Sequence, residues 1–242
     1  MGPPLGAVLF VSRIEDRSVN HLSQLPTPLA RPAHQTLVVL EGPHDVRFLR
    51  TVSTILHTEA DLPDLARWER RGEIVFLTTG GLCSPDLAQQ LVRLGCAQFH
   101  LLDRETATET AQRRQTVRAI NALPGCIAKL TGKRSLENYL HPQAIVEARG
   151  ISVQFGDQDD VAALVAHAVL KLRQPELDWQ ALSHRCRKRL RNRAKKWLNT
   201  EAAGRLNRQL LHEQDPDDEV EDWLSTIAEL HHAHGMAGMR PF

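Results

Sequence analysis

Short runs of consecutive apolar residues alternate with longer stretches in which apolar positions recur every three or four residues. Residues 37–40 (Leu-Val-Val-Leu) form the clearest unbroken run, the pattern of a strand buried on both faces. Directly after it, Val46, Leu49, Val52, Ile55 and Leu56 fall at helical spacing. The same reading places strands near 37–40, 74–78, 97–102 and 126–130, and helices near 44–57, 85–94 and 107–122. Strand–helix alternation of this kind predicts an α/β fold with parallel pairing and right-handed crossovers. From residue 143 the pattern is helical, with segments expected near 143–149, 159–173, 179–198, 201–213 and 218–232. Asp215-Pro216-Asp217-Asp218 breaks the last two and supplies an N-cap. Residues 1–35 carry Pro3, Pro4, Pro26, Pro28 and Pro32 around one short apolar patch and read as an extended arm. Three regions follow: the arm (1–35), an α/β domain (36–142) and a helical C-terminal region (143–242).

The expected strands end on acids. Glu41-Gly42 closes the first run and Asp45 follows four residues after Glu41. Gly42 allows a sharp turn and leaves room for a bulky group to approach. The third strand ends on Asp103-Arg104-Glu105, and Glu137 lies shortly after the fourth. In a parallel sheet such ends lie side by side, at the edge where open α/β sheets bind ligands. Glu41, Asp45, Asp103, Glu105 and Glu137 are therefore expected to converge. Two carboxylates ~4 Å apart repel by ~4 kcal/mol at an effective dielectric of ~20, so five together need protons or a cation. All the donors are hard oxygens, which suit Mg²⁺ or Mn²⁺ rather than zinc or copper. The plainer alternative is that each acid is an ordinary helix-start residue, favoured there by the helix dipole alone.

The turn Glu41-Gly42-x-x-Asp45, followed by a strand ending in an acidic pair, resembles the Toprim domain shared by topoisomerases, primases, recombination proteins and several nucleases. Ser135-Leu136-Glu137-Asn138-Tyr139-Leu140 is similar, more particularly, to the Toprim nuclease domain of the overcoming-lysogenisation-defect (OLD) family. The resemblance spans roughly residues 36–142. It implies a Toprim-like parallel sheet flanked by helices, with Glu41 and Asp45 as the first acidic motif. Asp103 and Glu105 then match the Asp-x-Asp metal motif, with Glu105 where the family usually has aspartate, and Ser135 and Glu137 supply a further metal-site element. The implied activity is two-metal hydrolysis of nucleic-acid phosphodiesters, with Glu41 doubling as general acid or base. A distant lysine assists in the related nucleases. Lys188, Lys195 and Lys196 are candidates, and Lys133 is closer to the acids in sequence. OLD proteins usually join this domain to an ATPase. Thr131-Gly132-Lys133-Arg134-Ser135 echoes a phosphate-binding loop, but Ile127 stands where a glycine is needed and Arg134 where a serine or threonine is. The expectation is a nuclease of this type without the ATPase; the alternatives are a non-catalytic nucleic-acid-binding module, or one subunit of a phage-defence complex whose ATPase is separately encoded.

Net charge is only +1, with a pI of about 7.8, so the basic run over residues 184–197 is a local concentration. Its Arg185, Arg187, Lys188, Arg189, Arg191, Arg193, Lys195 and Lys196 are candidate contacts to the phosphates of DNA or RNA. Leu190, Ala194 and Trp197, with Cys186 one turn earlier, form a packing stripe on the same helix. A solvated amphipathic helix without a ligand is the alternative. A chain of 242 residues, 42% apolar and 24% charged, accommodates one α/β core with an appended helical region. Cys83, Cys96, Cys126 and Cys186 lack paired ligand spacing, which suits reduced, buried thiols. No run approaches the ~20 apolar residues of a membrane span, so a cytoplasmic protein without a membrane partner is expected. Trp68, Trp179, Trp197 and Trp223 read as packing, and His231, His232 and His234 as solvated.

Overall fold

In a computed structural model of the chain, which describes residues 35–81 and 83–237, the first strand is buried at every position. The arm expected over 1–35 lies outside the described residues except for Gln35. Strand β1 (Thr36–Leu40) pairs in parallel with β2 (Ile74–Thr78) on one side and β3 (Ala97–Leu102) on the other, and β3 pairs with β4 (Cys126–Leu130). The order is β2-β1-β3-β4, with Val38 aligned to both Phe76 and Phe99. All four strands run the same way, so the loops after β1, β3 and β4 leave from one edge. The α/β expectation holds.

Helix α1 (Pro43–Ala60) begins on a proline, whose fixed φ suits a first turn, and buries Val46, Phe48, Leu49, Val52 and Leu56. Helices α2 (Leu65–Arg70), α3 (Pro85–Val92) and α4 (Ala107–Asn121) complete the strand-bearing part. A 3-10 turn (Leu136–Tyr139) leads into α5 (Pro142–Arg149), α6 (Val161–Arg173) and α7 (His184–Trp197). The chain continues through a π turn (Leu198–Ala202) and a 3-10 turn (Ala203–Arg205) to α8 (Arg208–Gln214) and α9 (Glu219–Ala237).

Two expected helices are redrawn. The helix expected over 179–198 starts only at His184, because the Ser183 hydroxyl accepts from the Cys186 N–H at 3.3 Å and caps it there. The segment expected over 201–213 is split, and Asn207 caps a new helix through the Leu210 N–H at 2.8 Å. The start of α9 is held by Asp215, which accepts from the Val220 N–H at 2.9 Å.

One hydrophobic core runs through the strand-bearing and helical parts. Val38, Phe99, Leu136 and Tyr139 share it with Trp197, Trp223 and Ile227. Helix α9 packs on β1 and β3, and a smaller cluster of Ala88, Ile120, Cys126 and Ala128 fills the opposite face under α3 and α4. Trp179, Trp197 and Trp223 are buried and Trp68 packs against the core, as expected of packing residues. His231 departs from the solvated reading, since its ring lies 5.0 Å from Trp68 and its Nδ1 is 3.2 Å from the Thr36 hydroxyl. Among the described residues no helix is long and apolar enough to cross a membrane.

Candidate metal centre

Glu41 is the first residue after β1, and Asp103 the first after β3. Pairing of these strands brings the two together, and the Asp103 N–H donates to Glu41 Oε1 at 3.1 Å. Asp45, in the first turn of α1, accepts from the Gly42 N–H at 2.7 Å, so it also serves as a helix cap. Glu105 has a φ of 55°, left-handed backbone that costs a non-glycine residue ~1–3 kcal/mol unless its surroundings enforce it. Here they do. The Glu105 N–H donates to the Arg134 carbonyl at 2.9 Å, and the Arg104 N–H to the Thr131 hydroxyl at 2.8 Å. The loops after β3 and β4 are thus laced together. Gly132 belongs to that lacing, because a Cβ there would meet Glu219 Oε1 at 1.9 Å. Carboxylate oxygens of Glu41, Asp103 and Glu105 all lie within 4.8 Å of one another.

Glu137 enters from the 3-10 turn and is 1% exposed. Its Oε2 accepts from the Ser135 hydroxyl at 2.8 Å and lies 3.2 Å from the Lys195 ammonium. Its Oε1 accepts from the Asn199 side-chain amide at 2.7 Å. Ser135 therefore meets Glu137 directly.

Burial, then the charges of Asp45 and Glu137, pushes the Asp103 carboxyl well above the usual carboxylate range. Burial, then Glu137, pushes Asp45 up to about 6. Burial also raises Glu105. Glu137 goes the other way: burial opposes its charge, but Lys195 and the hydrogen bonds from Asn199 and Ser135 outweigh it and hold the carboxyl low. Lys195 holds its proton more tightly than a free lysine, because Glu137, Asp103 and Asp45 outweigh its own burial. Only Arg113 adds a second cation in contact with these five acids among the described residues, binding Glu41 through its guanidinium. Five carboxylates against two cations leave an excess of negative charge. Asp103, 6% exposed, receives no side-chain hydrogen bond from the described residues. A buried acid so placed needs a proton or a metal ion. The hard-oxygen donor set fits Mg²⁺ or Mn²⁺.

The structure thus brings together Glu41, Asp103 and Glu105, with Asp45 and Glu137 in their electrostatic reach. Of the lysines, Lys195 stands among these acids, on α7. Lys133 pairs instead with Asp157 and lies 5.6 Å above the Tyr139 ring. Lys188 is exposed two turns before Lys195. Arg185, Arg189, Arg193 and Lys196 are also exposed. Arg187 donates to Gln180 at 3.2 Å and Arg191 pairs with Asp160 at 2.6 Å. Sequence reasoning missed Arg113 and Asn199. Nothing in the sequence marks Arg113 among the polar residues of α4. Asn199 carries one faint signal, its four-residue spacing from Lys195.

Among solved structures, the chain is similar to the C-terminal region of the OLD protein of Xanthomonas campestris pv. campestris. The iodine-phased structure aligns at 13% identity over 81% of this chain and 97% of that one, with a TM-score of 0.42. The platinum-phased structure aligns at 15% identity over 83% and 97%, with a TM-score of 0.43. No family model matches the chain. No curated protein matches it either. The functional reading therefore rests on the site itself.

Proposed function

We propose that this chain is a Toprim-type nuclease that hydrolyses nucleic-acid phosphodiesters with Mg²⁺ or Mn²⁺. The observation that carries the reading is the meeting of Glu41, Asp103 and Glu105 oxygens within 4.8 Å at the strand-end edge. In this reading residues 36–142 form the catalytic domain and the helical region 143–242 completes it with Lys195. Glu41, Asp103 and Glu105 would hold a divalent ion, and Asp45 and Glu137 extend the donor set toward a second. Such ions polarise phosphoryl oxygens and lower the pKa of water.

The chain's own residues do the rest. Lys195 keeps its ammonium protonated across the working pH range and offers it to negative charge developing on a phosphate. Glu41 accepts from the Arg113 guanidinium and the Asp103 N–H, and in this reading it doubles as general acid or base. The exposed Arg185, Lys188, Arg189, Arg193 and Lys196 would track the backbone of DNA or RNA. A separately encoded ATPase partner is a different outcome: it would co-purify with the chain, and full cleavage by the purified chain with no partner would exclude it. The test of catalysis is cleavage of plasmid or oligonucleotide in Mg²⁺ or Mn²⁺. Cleavage lost in Asp103→Ala is expected, and equal cleavage by wild type and variant rules the assignment out.

A second reading has its own observation. Arg113 already neutralises Glu41 without an ion, as a non-catalytic binding module would require. Salt-sensitive nucleic-acid binding with no turnover in any divalent ion would favour it.

A further inference from the structure

Helix α7 does not end cleanly at Trp197. It widens into the five-residue π turn Leu198–Ala202, a departure from α geometry that frequently accompanies functional sites. Asn199 lies in this turn, wholly buried. Its amide nitrogen donates to Glu137 Oε1 at 2.7 Å and to the Lys195 carbonyl at 3.0 Å. The Lys195 backbone carbonyl can only accept, and Glu137 Oε1 lies on the same end of the amide. The NH₂ must therefore face them. The other end of the amide, Oδ1, is buried and has no donor among the described residues.

An acceptor left buried and unsatisfied costs ~1–3 kcal/mol, so its retention beside the acids calls for a ligand that supplies hydrogens. Among the described residues neither the Lys195 ammonium, 3.2 Å from Glu137 Oε2, nor any other donor reaches Oδ1. A hydrated divalent cation presents only O–H donors on its outer surface, and Mg²⁺ in particular keeps several of its waters.

We propose that Asn199 is a positioning residue of the metal centre: its NH₂ fixes the orientation of the Glu137 carboxylate, and its Oδ1 receives the hydration shell of an incoming divalent ion. This rests on the metal-dependent reading above and deepens it. Outer partners of this kind typically change metal affinity by about 10–100-fold. A purely structural hydrogen bond would act on folding and would be indifferent to the charge on Glu137.

The test is a Mn²⁺ titration, followed by electron paramagnetic resonance of the free ion, on wild type, Asn199→Leu, Glu137→Gln and the double variant. Leucine keeps the branching of asparagine but is bulkier, so circular dichroism checks the fold. Asn199→Ala, which only deletes atoms, replaces it should leucine not fit. Asn199→Leu is expected to raise the Mn²⁺ Kd by about 10–100-fold in the wild-type background. In the Glu137→Gln background the same change is expected to cost several-fold less, because no carboxylate is left to orient while the contact through Oδ1 is still lost. Equal loss in both backgrounds, or no loss, overturns the role of Asn199 while leaving the metal centre standing. No Mn²⁺ binding by wild type overturns both.

Discussion

Lys195 holds its ammonium 3.2 Å from Glu137 Oε2, a carboxylate almost wholly removed from solvent. The pair joins α7 to the strand-end loops, so the basic helix contributes to the acidic site as well as to the surface. Removing one partner of a buried pair leaves the other charge uncompensated, at a cost of ~3–5 kcal/mol. Lys195→Ala should therefore lower the melting temperature of the metal-free protein and cut kcat by ~10²–10³. Lys188→Ala should leave kcat within about threefold and weaken binding most at low salt. Comparable kcat losses in both variants, measured under saturating substrate, would remove Lys195 from its assigned place.

Asp45 gives a pH signature. Its carboxyl is raised from 3.8 to about 6, so the folded chain holds this proton more tightly than the unfolded chain does. Below the unfolded value both states are protonated and nothing is lost. As pH rises through about 6 the folded state must surrender a proton it favours, and stability falls. Asp45→Asn should remove that fall and stabilise the metal-free protein at pH 7.5 by ~1–3 kcal/mol relative to wild type. Melting temperatures of both proteins across pH 4–8 check it. Parallel curves would mean that the carboxyl titrates normally.

In the metal-dependent reading, Arg113 and a divalent ion compete for Glu41. Arg113→Ala deletes the protein's own counter-charge, so Mn²⁺ should bind more tightly, by about threefold to tenfold, while the metal-free protein loses stability. Fluorescence-detected Mn²⁺ titration distinguishes this from a supporting role, in which the variant would bind the ion more weakly.

Strand β1 was legible because a strand buried at every position reads as an apolar run, and parallel pairing of the strands then dictated that Glu41, Asp103 and the loop bearing Glu137 share an edge. What the sequence hid depends on tertiary register. Helix α2 has six residues, too few to show a period. Lys195 is one of eight basic residues on α7, and only the docking of that helix against Glu137 singles it out. The π turn that carries Asn199 has no compositional mark. The Ser183 cap was present in the sequence, but the apolar pattern through Trp179 and Leu182 outweighed it.

The exposed face of α7 makes a separate prediction. Replacing Arg185, Lys188 and Arg189 together by alanine should weaken nucleic-acid binding about uniformly across sequences. It should also lower the slope of log affinity against log salt by up to about 3 units. An unchanged slope, from fluorescence anisotropy between 50 and 200 mM salt, would assign this face to solvent.

Whether the strand-end acids bind a divalent ion at all is tested most directly by isothermal titration calorimetry with Mn²⁺ at pH 7.5, comparing wild type with Asp103→Asn. Saturable binding by wild type that disappears in the variant is expected, because Asp103 contributes a buried carboxylate to the cluster with Glu41 and Glu105. Identical heats for the two proteins, or none for wild type, would contradict it.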